Sequence, residues 1–190
     1  MQNTWNPLLE KLSNQVDTLI SESGKHSCRV AKLGKKVAQR LGVKGQELDV
    51  IYWGALLHDI GKIGIPQEII QKKGPLSQSE WLLMELHPTI GANIVLATQS
   101  MGAVVSIIET HQERYDGQGY PIGFEGKDIP LGARILAVVD SFDAMTDERP
   151  YRKALDANAA IAELVRVRGS QLDPKVVDVF LDIVGGNSIC

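Results

Sequence analysis

The chain has 190 residues, 44% hydrophobic and 23% charged, which suits one soluble domain with a single sizeable core. A net charge of −3 supplies no global basic field for a long nucleic acid and leaves only a local pocket for a small phosphorylated ligand. No apolar run approaches the roughly 20 residues that span a bilayer, and the N-terminus MQNTWNPLLEKLSNQVDTLI lacks the basic start and apolar stretch of a signal peptide.

The pattern is helical nearly throughout. Asn6-Pro7 reads as an N-cap and first turn, followed by Leu8, Leu9, Leu12, Val16 and Leu19 at helical spacing. A second helix carries Val30, Leu33, Val37 and Leu41 and ends at Gly42; a third runs from Gln46 to Leu57 and is apolar enough to be central. Ser77 and Glu80 form a capping-box pattern opening a helix that reaches His87. Pro88 starts the next, through Leu96, and Ala103 to His111 forms another.

Residues 112–130 hold Gly117, Gly119, Gly123, Gly126, Pro121 and Pro130, so they read as a long loop, and such loops are usually functional. Helices follow over Leu131–Ala144, from the cap Asp156 to Arg168, and from Asp173-Pro174 to Val184. No alternating strand pattern is present. The reading is an all-α, single-domain compact bundle of about seven to eight helices. It divides into an N-terminal helix in 1–21, a core over 22–184 and a tail at 185–190. Cys28 and Cys190 are far apart in no metal-binding spacing and read as reduced thiols of a cytoplasmic protein.

The four histidines and a few carboxylates carry the chemistry. His58 follows the apolar stretch WGALL and adjoins Asp59; a carboxylate at the end of a buried helix costs several kcal/mol unless a cation or strong donors compensate it. Glu22 and His26 are four apart and can share one ion if a single helix runs through both. His87 and His111 each close a helix. Asp140 lies in the apolar stretch ILAVVDSFDAM, whereas Asp143 is read as free to face solvent. Nitrogen and oxygen donors without thiolate suit Fe, Mn, Mg, Zn, Ni or Co. Seven such donors exceed one ion, so two are expected, with Asp59 bridging; paired ions activate water and clamp the attacking and leaving oxygens of an in-line displacement. Lys62 is in reach of a bound phosphate, and Arg149 and Arg152 in RPYR can supply forked donors.

These stretches together resemble the HD-GYP domain, a branch of the HD superfamily of metal-dependent phosphohydrolases. The matching segments, from about Glu22 to Phe180, are ESGKHSCRV, HDIGKIGIP, the Leu-x₂-Glu-x-His ending at His87, THQERYDGQGYP, IPLGARILAVVDSFDAMT and RPYRKA. The resemblance implies a phosphodiesterase for cyclic di-GMP, or in some members cyclic GMP-AMP, in bacterial second-messenger signalling. The product would be the linear dinucleotide or GMP. Iron or manganese is the usual metal of the family. Metal ligands are implied at His26, His58, Asp59, His87, His111 and Asp140, with a third metal through Glu22. Phosphate contacts are implied at Lys62, Arg149 and Arg152, with Asp59 and Lys62 as catalytic positions. Members often carry a sensory domain, so the chain is either a stand-alone protein or an excised domain.

One departure stands out: the family reads His-His-Glu where this chain reads His111-Gln112-Glu113. An amide oxygen is a poorer ligand than imidazole for Fe or Mn, which weakens one metal site and makes a catalytically degenerate, nucleotide- or protein-binding domain the alternative. The Gly119-Tyr120-Pro121 loop would be its partner surface. The amphipathic N-terminal helix can pair with a copy of itself or pack on the core.

Overall fold

The computed structural model describes residues 7–20, 25–98, 101–147 and 154–185. Ten α-helices follow in order: α1 Pro7–Ile20, α2 His26–Arg40, α3 Gln46–Leu57, α4 Gln67–Ile70, α5 Gln78–Met84, α6 His87–Leu96, α7 Gly102–Thr110, α8 Leu131–Thr146, α9 Ala157–Arg166 and α10 Pro174–Gly185. Short 3₁₀ turns lie at Ile60–Gly64 and Gly126–Asp128. The count exceeds the expected seven to eight, and the segment with no counterpart among the expected helices is the four-residue α4. Among the described residues the only bridges of β type are the isolated pairs Asp116–Glu125 and Arg168–Leu172, so the all-α reading holds.

Local chemistry accounts for the helix starts. Ser77 accepts from the Glu80 amide while the Glu80 carboxylate accepts from the Ser77 amide at 2.6 Å, the reciprocal box that opens α5. Asp156 accepts from the amides of Asn158 and Ala159, and Asp173 from those of Lys175 and Val176, at the heads of α9 and α10. Lys25 has φ −130°, which is not helical, and α2 starts at His26; Glu22, the expected partner of His26, lies outside the described residues.

The third helix is central, as its composition implies: Ile51, Trp53, Ala55, Leu56 and Leu57 are buried, and α3 packs against α2, α7 and α8. The eighth helix adds Ile135, Leu136, Val138 and Val139, and its Phe142 meets Phe180 of α10 with ring centroids 5.0 Å apart. Each such side chain, fully buried, contributes on the order of 2 kcal/mol. This packing gathers the N-termini of α2 and α6, the C-termini of α3 and α7 and the C-terminal half of α8 at one end of the bundle, and the histidines sit on those ends.

A buried polar contact fixes the first of them. Asp17 of α1 accepts from both the amide and the hydroxyl of Ser27, at 2.9 and 2.6 Å, and so satisfies an otherwise unpaired amide in the first turn of α2, next to His26. Asp17→Ala leaves two donors unpaired in a closed site and is expected to cost about 1–3 kcal/mol. Urea unfolding of the two proteins measures it; an unchanged midpoint contradicts the anchoring role.

Candidate metal centre

Three of the four histidines are held by the same local device. The Nδ1–H of His58 donates to the Ala55 carbonyl, that of His87 to Met84 and that of His111 to Ile108, each at 2.7 Å and three residues back. The bond fixes the tautomer and leaves each Nε2 as a lone pair. His87 Nε2 and His111 Nε2 then face each other at 3.1 Å. Burial, with the neighbouring Lys62 and His58, brings His87 down to about 4; burial, with His87 and His58, brings His111 down to about 3. Both rings are therefore neutral near pH 7, and two lone pairs meet with no proton between them. A cation resolves this: nitrogens bound to one ion at about 2.1 Å and at a right angle lie about 3.0 Å apart.

Asp59 stands at the junction. Its Oδ1 is 3.6 Å from His87 Nε2 and its Oδ2 is 3.4 Å from His58 Nε2, so its two oxygens face two histidine groups. His58 Nε2 and Asp59 Oδ1 are buried without a hydrogen-bond partner, which is unusual for such groups unless a ligand belongs there. Burial disfavours the charged form of Asp59, but Lys62, His58 and His87 together hold its carboxyl well below the usual range. Lys62 Nζ lies 2.7 Å from Asp59 Oδ2. The amine is thus docked on the carboxylate at the centre rather than free in a loop.

His26 is held differently. Its Nδ1 meets Asp143 Oδ2 at 2.7 Å and its Nε2 lies 3.2 Å from Asp140 Oδ1. Burial opposes its charge, yet the two carboxylates raise it to about 10; a proton or a metal ion can occupy the same Nε2. Asp143 also accepts from Arg29 at 2.7 and 2.8 Å, and Arg29 reaches Asp147 as well. The sequence left Asp143 free to face solvent; the structure instead buries it against His26. The Asp143 side chain is 12% exposed and orients His26, whereas that of Asp140 is 26% exposed and faces the open side of the centre. Residues 140 and 143 are three apart on α8 and share a face, so periodicity alone could not assign one inward and one outward.

The ligand atoms fall into two groups, His26, His58 and Asp140, and Asp59, His87 and His111, each within 4.8 Å of one another. A cleft of about 250 Å³ opens beside them, lined by His111, Gln112, Asp140, Ser141, Trp81, Glu85 and Tyr120 among others. The glycine-rich loop forms one wall. Buried Glu113 accepts from the amides of Ile122 at 2.8 Å and Gly123 at 3.0 Å and ties the loop down. Gly119 is required by close approach, because a Cβ there would lie 2.3 Å from the Arg114 amide nitrogen. Gly61, next to the Asp59 turn, is required likewise: its Cβ would lie 1.9 Å from the His87 carbonyl oxygen. The Tyr120–Pro121 peptide is cis. Burial, helped by Glu85, Asp59 and Asp140, pushes the Tyr120 phenol up.

A model of the HD domain family matches residues 11–176. The chain belongs to the HD domain family. A cyclic di-GMP phosphodiesterase response regulator from Xanthomonas campestris pv. campestris is 42% identical over 157 residues, covering 80% of this chain and 41% of that protein. A 3′3′-cGAMP-specific phosphodiesterase from Vibrio cholerae is 34% identical over 184 residues, covering 96% of this chain and 35% of that one. The chain thus spans less than half the length of these relatives. The crystal structure of a cyclic GMP-AMP specific phosphodiesterase from V. cholerae superposes with a TM-score of 0.72 at 22% identity, covering 95% of this chain and 49% of that one, which shows the shared fold. With the Gly119-Tyr120-Pro121 loop, these similarities place this HD domain in the HD-GYP branch. HD-domain phosphohydrolases are metal-dependent, and the two His/Asp groups are able to hold metal. Among the described residues no helix is long and apolar enough to cross a membrane.

The HD domain thus brings six expected ligand positions together. Glu22, Arg149 and Arg152 lie outside the described residues, and Gln112 lines the cleft beside His111. Residue spacing missed Arg29 and Asp143 as the supports of His26, since they are 114 positions apart in the chain, and it missed Glu113 as the anchor of the loop.

The shifts predict opposing pH limits for chelator-treated protein. His87 and His111 have folded values below 6.5, so the unfolded chain binds their protons first and stability falls as pH drops below 6.5 toward about 4. His26 has a raised value, so its contribution is complete below 6.5 and is lost as pH rises toward about 10. Urea midpoints of the metal-free protein should therefore peak near pH 6.5; a plateau from pH 5 to 9 would count against these assignments.

Proposed function

We propose that the chain is a cyclic-dinucleotide phosphodiesterase domain acting on cyclic di-GMP, or the related cyclic GMP-AMP, with two divalent metal ions. The observation that carries the reading is Asp59: one buried carboxylate whose two oxygens face two groups of imidazole lone pairs. The names of the Xanthomonas and Vibrio relatives support the substrate class. His26, His58 and Asp140 would hold one ion, His87 and His111 the other, and Asp59 both, with iron or manganese the metal that the family resemblance implies. Bound there, such ions supply Lewis-acid charge at a phosphate and lower the pKa of water.

The chain's own residues do the rest. Asp143 and the three backbone carbonyls hold each imidazole in one orientation and tautomer, so no reorganisation is needed when substrate arrives. Lys62, docked on Asp59, places a positive charge beside the centre where a phosphate oxygen gains negative charge in the transition state. Arg149 and Arg152 are assigned further phosphate contacts, and Glu22 a third metal, by the family resemblance alone. The products would be the linear dinucleotide, GMP or both.

Asp59→Ala should abolish metal retention and cyclic di-GMP hydrolysis together, read by elemental analysis of anaerobically purified protein and by product chromatography. Full turnover in that variant ends the two-metal account. Gln112 favours a second reading, a domain that binds its nucleotide but hardly turns it over. Gln112→His separates the two: little change in rate marks a competent site, whereas a gain above roughly tenfold, the scale on which groups around a metal tune activity, marks a crippled one.

A further inference from the structure

Two residues of the cleft serve neither the metal groups nor the core. Helix α5 buries none of its residues, and Trp81 on it is 49% exposed. Glu85, four residues on and still in helical conformation at the end of α5, shares that face. Both line the cleft that reaches His111 and Asp140. Glu85 makes no side-chain hydrogen bond or ion pair among the described residues, and Tyr120 lines the same space. An indole whose face is not packed away, beside a carboxylate whose acceptors are unused, is a combination with a definite chemical preference.

An aromatic face stacks on any base and selects none. A carboxylate only accepts hydrogen bonds, so it selects an edge with two adjacent donors. The Watson–Crick edge of guanine offers N1–H and the N2 amino group side by side. Adenine places an acceptor at N1, which a carboxylate repels. A charged acceptor strengthens the correct pair. The cleft, at about 250 Å³, is smaller than the roughly 300–1,000 Å³ that encloses a drug-sized ligand, so it takes one base and its sugar and leaves the other half of a dinucleotide outside.

We propose that Trp81 and Glu85 form a guanine site, the indole stacking on the base and the carboxylate accepting from N1–H and N2–H, which seats one nucleotide with its phosphate toward the metal groups. The inference rests on the phosphodiesterase reading for the presence of a nucleotide, and its test reads binding rather than turnover.

Calorimetric titration of manganese-loaded protein with guanosine 5′-monophosphate and with adenosine 5′-monophosphate provides that test. The guanine nucleotide should bind at least roughly tenfold more tightly, the lower part of the range for a good bidentate pair. Glu85→Gln should bring the two affinities within about twofold by weakening only the guanine nucleotide. Trp81→Ala should weaken both by the same factor, on the order of tenfold, and Trp81→Phe should restore both. Metal content and thermal midpoint of each variant confirm that the fold is intact. Equal affinities in the unaltered protein, or a preference that survives Glu85→Gln, overturn the guanine site. Guanine selectivity without hydrolysis of cyclic di-GMP keeps the site and removes the phosphodiesterase reading; hydrolysis without base preference does the reverse.

Discussion

A carboxylate closed off from water is the constraint around which this molecule is arranged. Asp59 sits at the end of the central helix with one oxygen toward His58 and Lys62 and the other toward His87. Ionised and uncompensated, it would cost several kcal/mol. Lys62 offsets part of that charge from one side. The other side offers only imidazole nitrogens that burial keeps unprotonated, and one Asp59 oxygen has no donor at all. The centre is built to be completed by cations.

The rest of the fold brings the necessary groups to that carboxylate and holds them still. Four helix ends and the last half of α8 converge because their apolar faces share one core around α3. At three of those ends a histidine ring donates to the carbonyl three residues back, so the helix itself sets the ring's orientation. The fourth, His26, is the first residue of its helix. Asp143, steadied by Arg29, takes that role instead, and Asp17 of α1 secures the start of the same helix. Two glycines let backbone segments close on one another where a side chain could not fit, Gly61 against α6 and Gly119 against the backbone after His111.

This arrangement divides the site into a rigid floor and a more open wall. The floor is buried and its bonds are internally satisfied except toward the metal positions. The wall, from α5 and the loop after α7, carries Trp81, Glu85, Gln112 and Tyr120. On the readings proposed above, the chemistry would belong to the floor and the choice of base to the wall.

By itself the sequence determined the class of fold, most helix limits and the residues able to bind metal. Those follow from local physics: apolar periodicity, capping residues such as Ser77, Asp156 and Asp173, and the scarcity of reasons to bury a pair like His58-Asp59. It also marked residues 112–130 as a functional loop from their glycines and prolines. What it could not decide depended on positions far apart in the chain. Which of Asp140 and Asp143 joins the metal-ligand group and which steadies His26, where Lys62 rests and how six of the candidate donors divide into two groups were settled only by helix packing. Periodicity says which residues share a face; it does not say what that face will meet.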